Sequence, residues 1–115
     1  MSDATSRRFP RFASNHSVLV SKLDGDVEEF AMTKTLALGG CCVVSAERLG
    51  AGSPVELLIA IDREHVIKAL GRVAYEHVLE DGYSDVGIEF VSLSDEDARV
   101  IEEMFERREP QQPVA

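Results

Sequence analysis

Apolar and polar residues alternate with a period of two along most of this chain. Val55, Leu57, Ile59 and Ile61 alternate with Glu56, Leu58, Ala60 and Asp62, the pattern of a strand with one buried face. After a polar turn over residues 62–65, Ile67, Ala69, Gly71, Val73 and Tyr75 continue the alternation against Lys68, Arg72 and Glu76. This predicts a long strand over about Val66–Leu79 with Tyr75 on its inward side. Beyond the Glu80-Asp81-Gly82 turn, Val86, Ile88 and Phe90 face inward, with Gly87 and Glu89 outward. Nearer the N-terminus, strands are predicted over Asn15–Leu23 and Val27–Thr35, joined by Asp24-Gly25, a strong hairpin signal. A short apolar strand, Cys41–Ser45, follows the break at Leu38-Gly39-Gly40. Two consecutive glycines there imply either positive φ or a close approach to the backbone. The period then changes to that of a helix. Ser94 is its N-cap, Asp95, Glu96 and Asp97 favour the positive end of the dipole, and Ala98, Ile101, Met104 and Phe105 share one face until Pro110.

Six short strands with regular turns and one closing helix predict a mainly β protein, a six-stranded antiparallel β-barrel with a C-terminal α-helix. Nothing inside residues 14–107 reads as a linker or a repeat. The expected organisation is a flexible basic arm over residues 1–13, the barrel with its helix over 14–107, and a disordered tail over 108–115.

The chain's 115 residues suffice for one such domain, and with no Trp and 6% aromatics its core must be aliphatic. Net charge −9 at pH 7 argues against a nucleic-acid polymer or an anionic membrane as partner, since phosphate contact needs a basic face. Charge is unevenly spread, however. Residues 1–12 hold Arg7, Arg8 and Arg11 against the single acid Asp3, so a cationic arm precedes an acidic body. With no long apolar run and no leader-like N-terminal segment, neither membrane insertion nor secretion is expected. Cys41 and Cys42, neighbours on a strand, point to opposite faces and make a poor disulfide or chelate. They read as packed thiols of a cytoplasmic protein.

Chemistry-bearing patterns are few. His16, His65 and His77 sit on three different elements without metal-ligand spacing, and no nucleophile elbow, P-loop or dinucleotide fingerprint occurs. The chain is therefore expected to be no enzyme and to need no metal or cofactor. What remains is Arg7-Arg8-Phe9-Pro10-Arg11, an RxxxR spacing on a segment that Pro10 biases away from helix. Two guanidiniums on an extended arm can fork onto phosphate oxygens and stack on purines.

Together with Thr35-Leu36-Ala37-Leu38-Gly39-Gly40, the run from Gly50 to Leu57, Gly71-Arg72-Val73, Val86-Gly87-Ile88-Glu89-Phe90 and the closing helix, this arm resembles the PilZ domain family, bacterial receptors for cyclic di-GMP. The resemblance covers nearly all of residues 7–106. It implies a PilZ-type barrel whose ligand lies between the arm and a second motif, Asp/Asn-x-Ser-x-x-Gly. By position Arg7 and Arg11 match the family's arginines and Gly40 its glycine, with Arg8 and Gly39 beside them. Thr35 stands where Asp or Asn is expected and Ala37 where Ser is expected. Two functions are implied. One is a cyclic di-GMP receptor whose arm orders on the ligand and regulates a protein partner in motility, pili or biofilm. The other is an adaptor of the same fold that binds no cyclic di-GMP and acts only through protein contacts. The sequence leaves open ligand stoichiometry, the partner, and whether the chain forms a homodimer.

Overall fold

The computed structural model describes residues 11–108. Arg7 and Arg8, with the rest of residues 1–10, and residues 109–115 lie outside them. Among the described residues seven strands and one helix follow in order: β1 (Phe12–Ala13), β2 (Ser17–Lys22), β3 (Glu28–Ala37), β4 (Gly40–Ser45), β5 (Pro54–Ala60), β6 (Val66–Val78), β7 (Ser84–Leu93) and α1 (Asp95–Arg108). The sheet runs β3-β2-β5-β6-β7-β4 and closes on itself through β3–β4 pairing, every pair antiparallel. Six strands thus form a closed barrel, and β1 is an additional strand outside the ring.

The long β3 explains that extra strand. Its first half pairs with β2 (Ser17↔Met32 to Ser21↔Glu28), and its second half pairs with β1 (Phe12↔Leu36, Ala13↔Thr35). β1 and β2 therefore lie end to end along one side of β3, separated by residues 14–16. Two residues assigned by sequence to the arm, Phe12 and Ala13, sit on the barrel itself. Phe12 is 3% exposed in the core and its ring lies 6.2 Å from that of Phe105 on α1. Arg108, placed by sequence in the tail, ends the helix.

Inward residues alternate as the pattern demands: Val18 and Val20, Cys41 and Val43, Val55, Leu57 and Ile59, Ile67, Ala69 and Val73, Val86 and Ile88 all join one core. Ile101 and Met104 of α1 complete it. Ser94 caps the helix as expected, its Oγ accepting the Asp97 N–H (3.0 Å), while the Asp97 carboxylate accepts the Lys68 N–H (3.1 Å) and ties the helix start to β6. Between β2 and β3 the hairpin forms, with Lys22 N–H donating to Val27 O, but Gly25 keeps a negative φ. Positive φ occurs instead at Gly50, Gly52 and Gly82.

The register slips by one residue at Val91 of β7, where Leu70 faces Ser92 and Gly71 faces Phe90, and at two further places, on β3 and on β6. On β3, Thr33 faces Val43 and Thr35 faces Cys42, leaving Lys34 as an unpaired extra residue. On β6, Val73 faces Ile88 and Tyr75 faces Gly87, leaving Ala74 extra. Each is a β-bulge, which reverses the facing of every residue beyond it. The expectation that Tyr75 continues the inward stripe is corrected here: the bulge turns it outward, and it is 47% exposed.

Candidate functional site

The β3 and β6 bulges turn side chains onto the same outer strip. Reading across the strands, Ala13 of β1 lies beside Thr35 of β3, then Cys42 of β4, Gly87 of β7 and Tyr75 of β6. Ala37, Gly40, Glu89 and Arg72 form the next row in the same way. Ala37, 5% exposed, and Cys42 are buried, yet neither joins the core cluster.

Of the sequence-predicted site residues, Arg11, Thr35, Ala37, Gly39 and Gly40 can be placed. Arg11 is exposed and immediately precedes β1. Its charge reaches the Tyr75 phenol across the strip. Thr35 Oγ1 is buried and has no hydrogen-bond partner among the described residues, a condition that costs free energy unless something arrives to meet it. Gly40 answers the question its sequence raised. Its φ is not positive, but a Cβ there would overlap the Ile88 carbonyl oxygen. Close approach of β4 to β7 is the reason for glycine. Gly39 offers its carbonyl to the Phe90 N–H (2.9 Å), fixing the β3–β4 turn to β7.

Tyr75, Cys42 and Gly87 were not among the residues singled out by sequence. The Tyr75 ring lies on Gly87 so closely that a Cβ at 87 would fall into the ring. Its hydroxyl reaches over the glycine to donate to Cys42 Sγ (3.7 Å). Burial and that thiol push the phenol above its ordinary value, and the Arg11 guanidinium pulls the other way. A glycine inside an otherwise apolar strand was the available signal, since such glycines mark close approach and are often covered by a cross-strand aromatic. On the far side of the strip, the bulge residue Lys34 reaches over β4 to the Asp85 carboxylate (3.1 Å). That carboxylate holds the lysine's pKa above its ordinary value.

Among the described residues no group of three or more His, Cys, Asp or Glu is placed to hold a metal. Cys41 points into the core, and burial pushes its thiol up to about 12, so it is no thiolate near neutral pH. A separate cleft of about 300 Å³ lies between the β5–β6 turn and α1, and Glu64, Glu96, Asp97 and Glu103 there against Arg99 disfavour an anion.

A family model, the PilZ domain, matches residues 5–107. The chain belongs to the PilZ domain family. Solved structures agree on the fold. The Bacillus subtilis inhibitor of motility MotI/DgrA is similar at TM-score 0.79 and 18% identity, over 92% of this chain and 52% of that one. The K. pneumonia MrkH–c-di-GMP complex is similar at 0.73 and 18%, over 91% and 53%. The PilZ domain of Escherichia coli YcgR with c-di-GMP gives 0.66 and 14%, over 93% and 98%. This PilZ chain thus spans about half the length of MotI and MrkH and nearly all of the isolated YcgR domain. No curated protein matches it. Among the described residues no helix is long and apolar enough to cross a membrane.

Proposed function

We propose that this PilZ chain is a cyclic di-GMP receptor without catalytic activity, working in the cytoplasm through a protein partner. The observation that carries the reading is the buried, unpartnered Thr35 hydroxyl on the residue that pairs with Ala13, two positions after Arg11. Arg7 and Arg11 would grip the phosphates through charge-assisted bonds, and the Thr35 hydroxyl would meet a guanine edge. Gly39 would let the ligand lie against the backbone where Ala37 presents only a methyl, while Gly40 acts by holding β4 close to β7. Arg8 is a further candidate for the phosphates. Closure of the segment that carries Arg7 and Arg8 over the strip would then change the surface read by the partner, a component of motility, pilus or biofilm machinery. Cyclic di-GMP complexes of MrkH and YcgR share the fold, which supports the same ligand here.

Replacing a guanine-binding carboxylate by Thr35 and a serine hydroxyl by Ala37 removes about 2–4 kcal/mol, a loss of roughly 30- to 1000-fold in affinity. Micromolar binding is therefore expected. Isothermal titration of the full chain with cyclic di-GMP, with GTP and cyclic di-AMP as controls, tests this. Selective binding that weakens by at least about 100-fold in the Arg7→Ala/Arg11→Ala protein is the expected result. Affinity unchanged by that double substitution would overturn it.

A specific observation favours the adaptor reading as second. Phe30, 79% exposed, and Met32 stand on the outer face of β3 beside Leu19 and Val44, an apolar surface for a protein partner. Absence of any cyclic di-GMP heat, with an unchanged melting temperature, would select it.

A further inference from the structure

We propose that the outer face of β3, β2, β5 and β6 docks a basic amphipathic helix of the protein partner, with its apolar stripe across the strands and its Lys or Arg side chains in the acidic cleft beside α1. This rests on the partner-dependent reading above and deepens it by giving the partner a chemistry. Direct cross-strand pairs build the face. Phe30 of β3 lies opposite Leu19 of β2, and Leu19 lies opposite Leu58 of β5. Their chain neighbours Val18, Val20, Ala31, Leu57 and Ile59 are core residues, so these three point outward. Phe30 is 79% exposed and Met32, two residues on, 41%, apolar surface that the fold itself does not bury. Ala60, two residues beyond Leu58 on the same face, lies opposite Val66 of β6. Val66 is 56% exposed and also lines the cleft between the β5–β6 turn and α1. Apolar face and acidic cleft are therefore one continuous surface.

Charge selects the occupant. In the cleft Glu64, Glu96, Asp97 and Glu103 stand against Arg99, and at the opposite end of the face Glu28 lies two residues before Phe30. Lys34 and Lys68, the cations on its flanks, are already paired with Asp85 and Glu56. A net charge of −9 opposes a second copy or an anionic membrane as the occupant and favours a cationic one. From the strand of Phe30 to that of Val66 is three strand spacings, about 14 Å, a distance that about ten residues of helix span.

The probe is a fluorescein-labelled helix of leucine and lysine at helical spacing, about 14 residues long. It is titrated with the full chain at about 0.15 M salt and read by anisotropy. Two control peptides carry glutamate in place of lysine, or serine in place of leucine. Binding of the leucine–lysine helix alone is expected. Phe30→Ser should weaken it by about 10- to 150-fold, as the loss of a buried phenylalanine implies. Glu96→Lys/Glu103→Lys, which turns the cleft against a cation, should weaken it by at least about tenfold. All three side chains are exposed, so both variants should keep the melting temperature of the parent and its cyclic di-GMP heat. Equal affinity for the serine control would reduce the attraction to bulk charge and overturn the docking surface, as would parent-like binding by Phe30→Ser. A Phe30-dependent dimer in sedimentation velocity would overturn it in favour of a second copy. Absence of helix binding with cyclic di-GMP heat intact would overturn the docking surface alone, and absence of both would overturn the receptor reading as well.

Discussion

Thr33 and Thr35 stand two residues apart on β3 and meet opposite fates as hydrogen-bonding groups. The Thr33 hydroxyl lies 2.5 Å from Ser14 Oγ, accepts the His16 N–H (2.8 Å) and donates to His16 O (3.3 Å), inside a buried polar knot that Ser14 extends to His16 Nδ1 (2.6 Å). Thr35 is only half-buried, yet its Oγ1 is shielded from solvent and bonds to no described residue. Isosteric removal of the two hydroxyls should therefore differ. Thr33→Val removes the hydroxyl that meets the His16 N–H and Ser14 Oγ and should destabilise the fold by about 1–3 kcal/mol. Thr35→Val removes an unsatisfied group and should leave stability unchanged or raise it by up to about 1 kcal/mol. Urea denaturation of the two proteins checks the contrast, and equal losses would show that Thr35 is satisfied in the free protein. A group that costs stability in the free protein fits a binding residue better than a packing residue.

At the level of elements, the helix is held at its start by Ser94 and Asp97 and along its length by Ile101, Met104 and the Phe105–Phe12 contact. Ser94→Ala removes the cap and should cost about 1 kcal/mol, read as a lower denaturation midpoint with an unchanged slope. The helix was legible in the sequence because cap, first-turn acids and apolar stripe all agree, and β5 was legible because its alternation is unbroken. The ring of six strands also follows from patterns visible in the chain. The other half of the groove was not legible, for a definite reason. Alternation carries facing along a strand only while the register is regular, and the extra residues Lys34 and Ala74 are ordinary side chains with no turn or glycine signature. Counting by twos past Ala74 puts Tyr75 in the core. Strand β1 escaped for a related reason, since two residues are too few to show a period, and only the burial of Phe12 reveals that the root of the arm is docked.

For the molecule as a whole, the acidic surface and the buried thiol set its response to pH. Cys41 sits in the core with its pKa pushed up to about 12 by burial, with a smaller push from Cys42. In the unfolded chain a thiol ionises near 8.5. The folded value is the higher one, so this contribution to stability is full below about pH 8.5 and is lost as pH rises toward 12. Cys41→Val removes it, and melting temperatures measured between pH 7.5 and 11 should fall less steeply for that protein than for the parent; parallel curves would assign the alkaline loss to other groups. The closed ring has a second consequence for the whole molecule. β2 covers only the first half of one side of β3, and Phe12 and Ala13 occupy the backbone groups that remain. Bare, that stretch would be a strand edge, the kind of template on which another chain of the same sequence can pair and clump. Phe12 and Ala13, which follow Arg11 directly, thus also guard a seam of the barrel that would otherwise lie open, and anything that lifts them trades solubility for access.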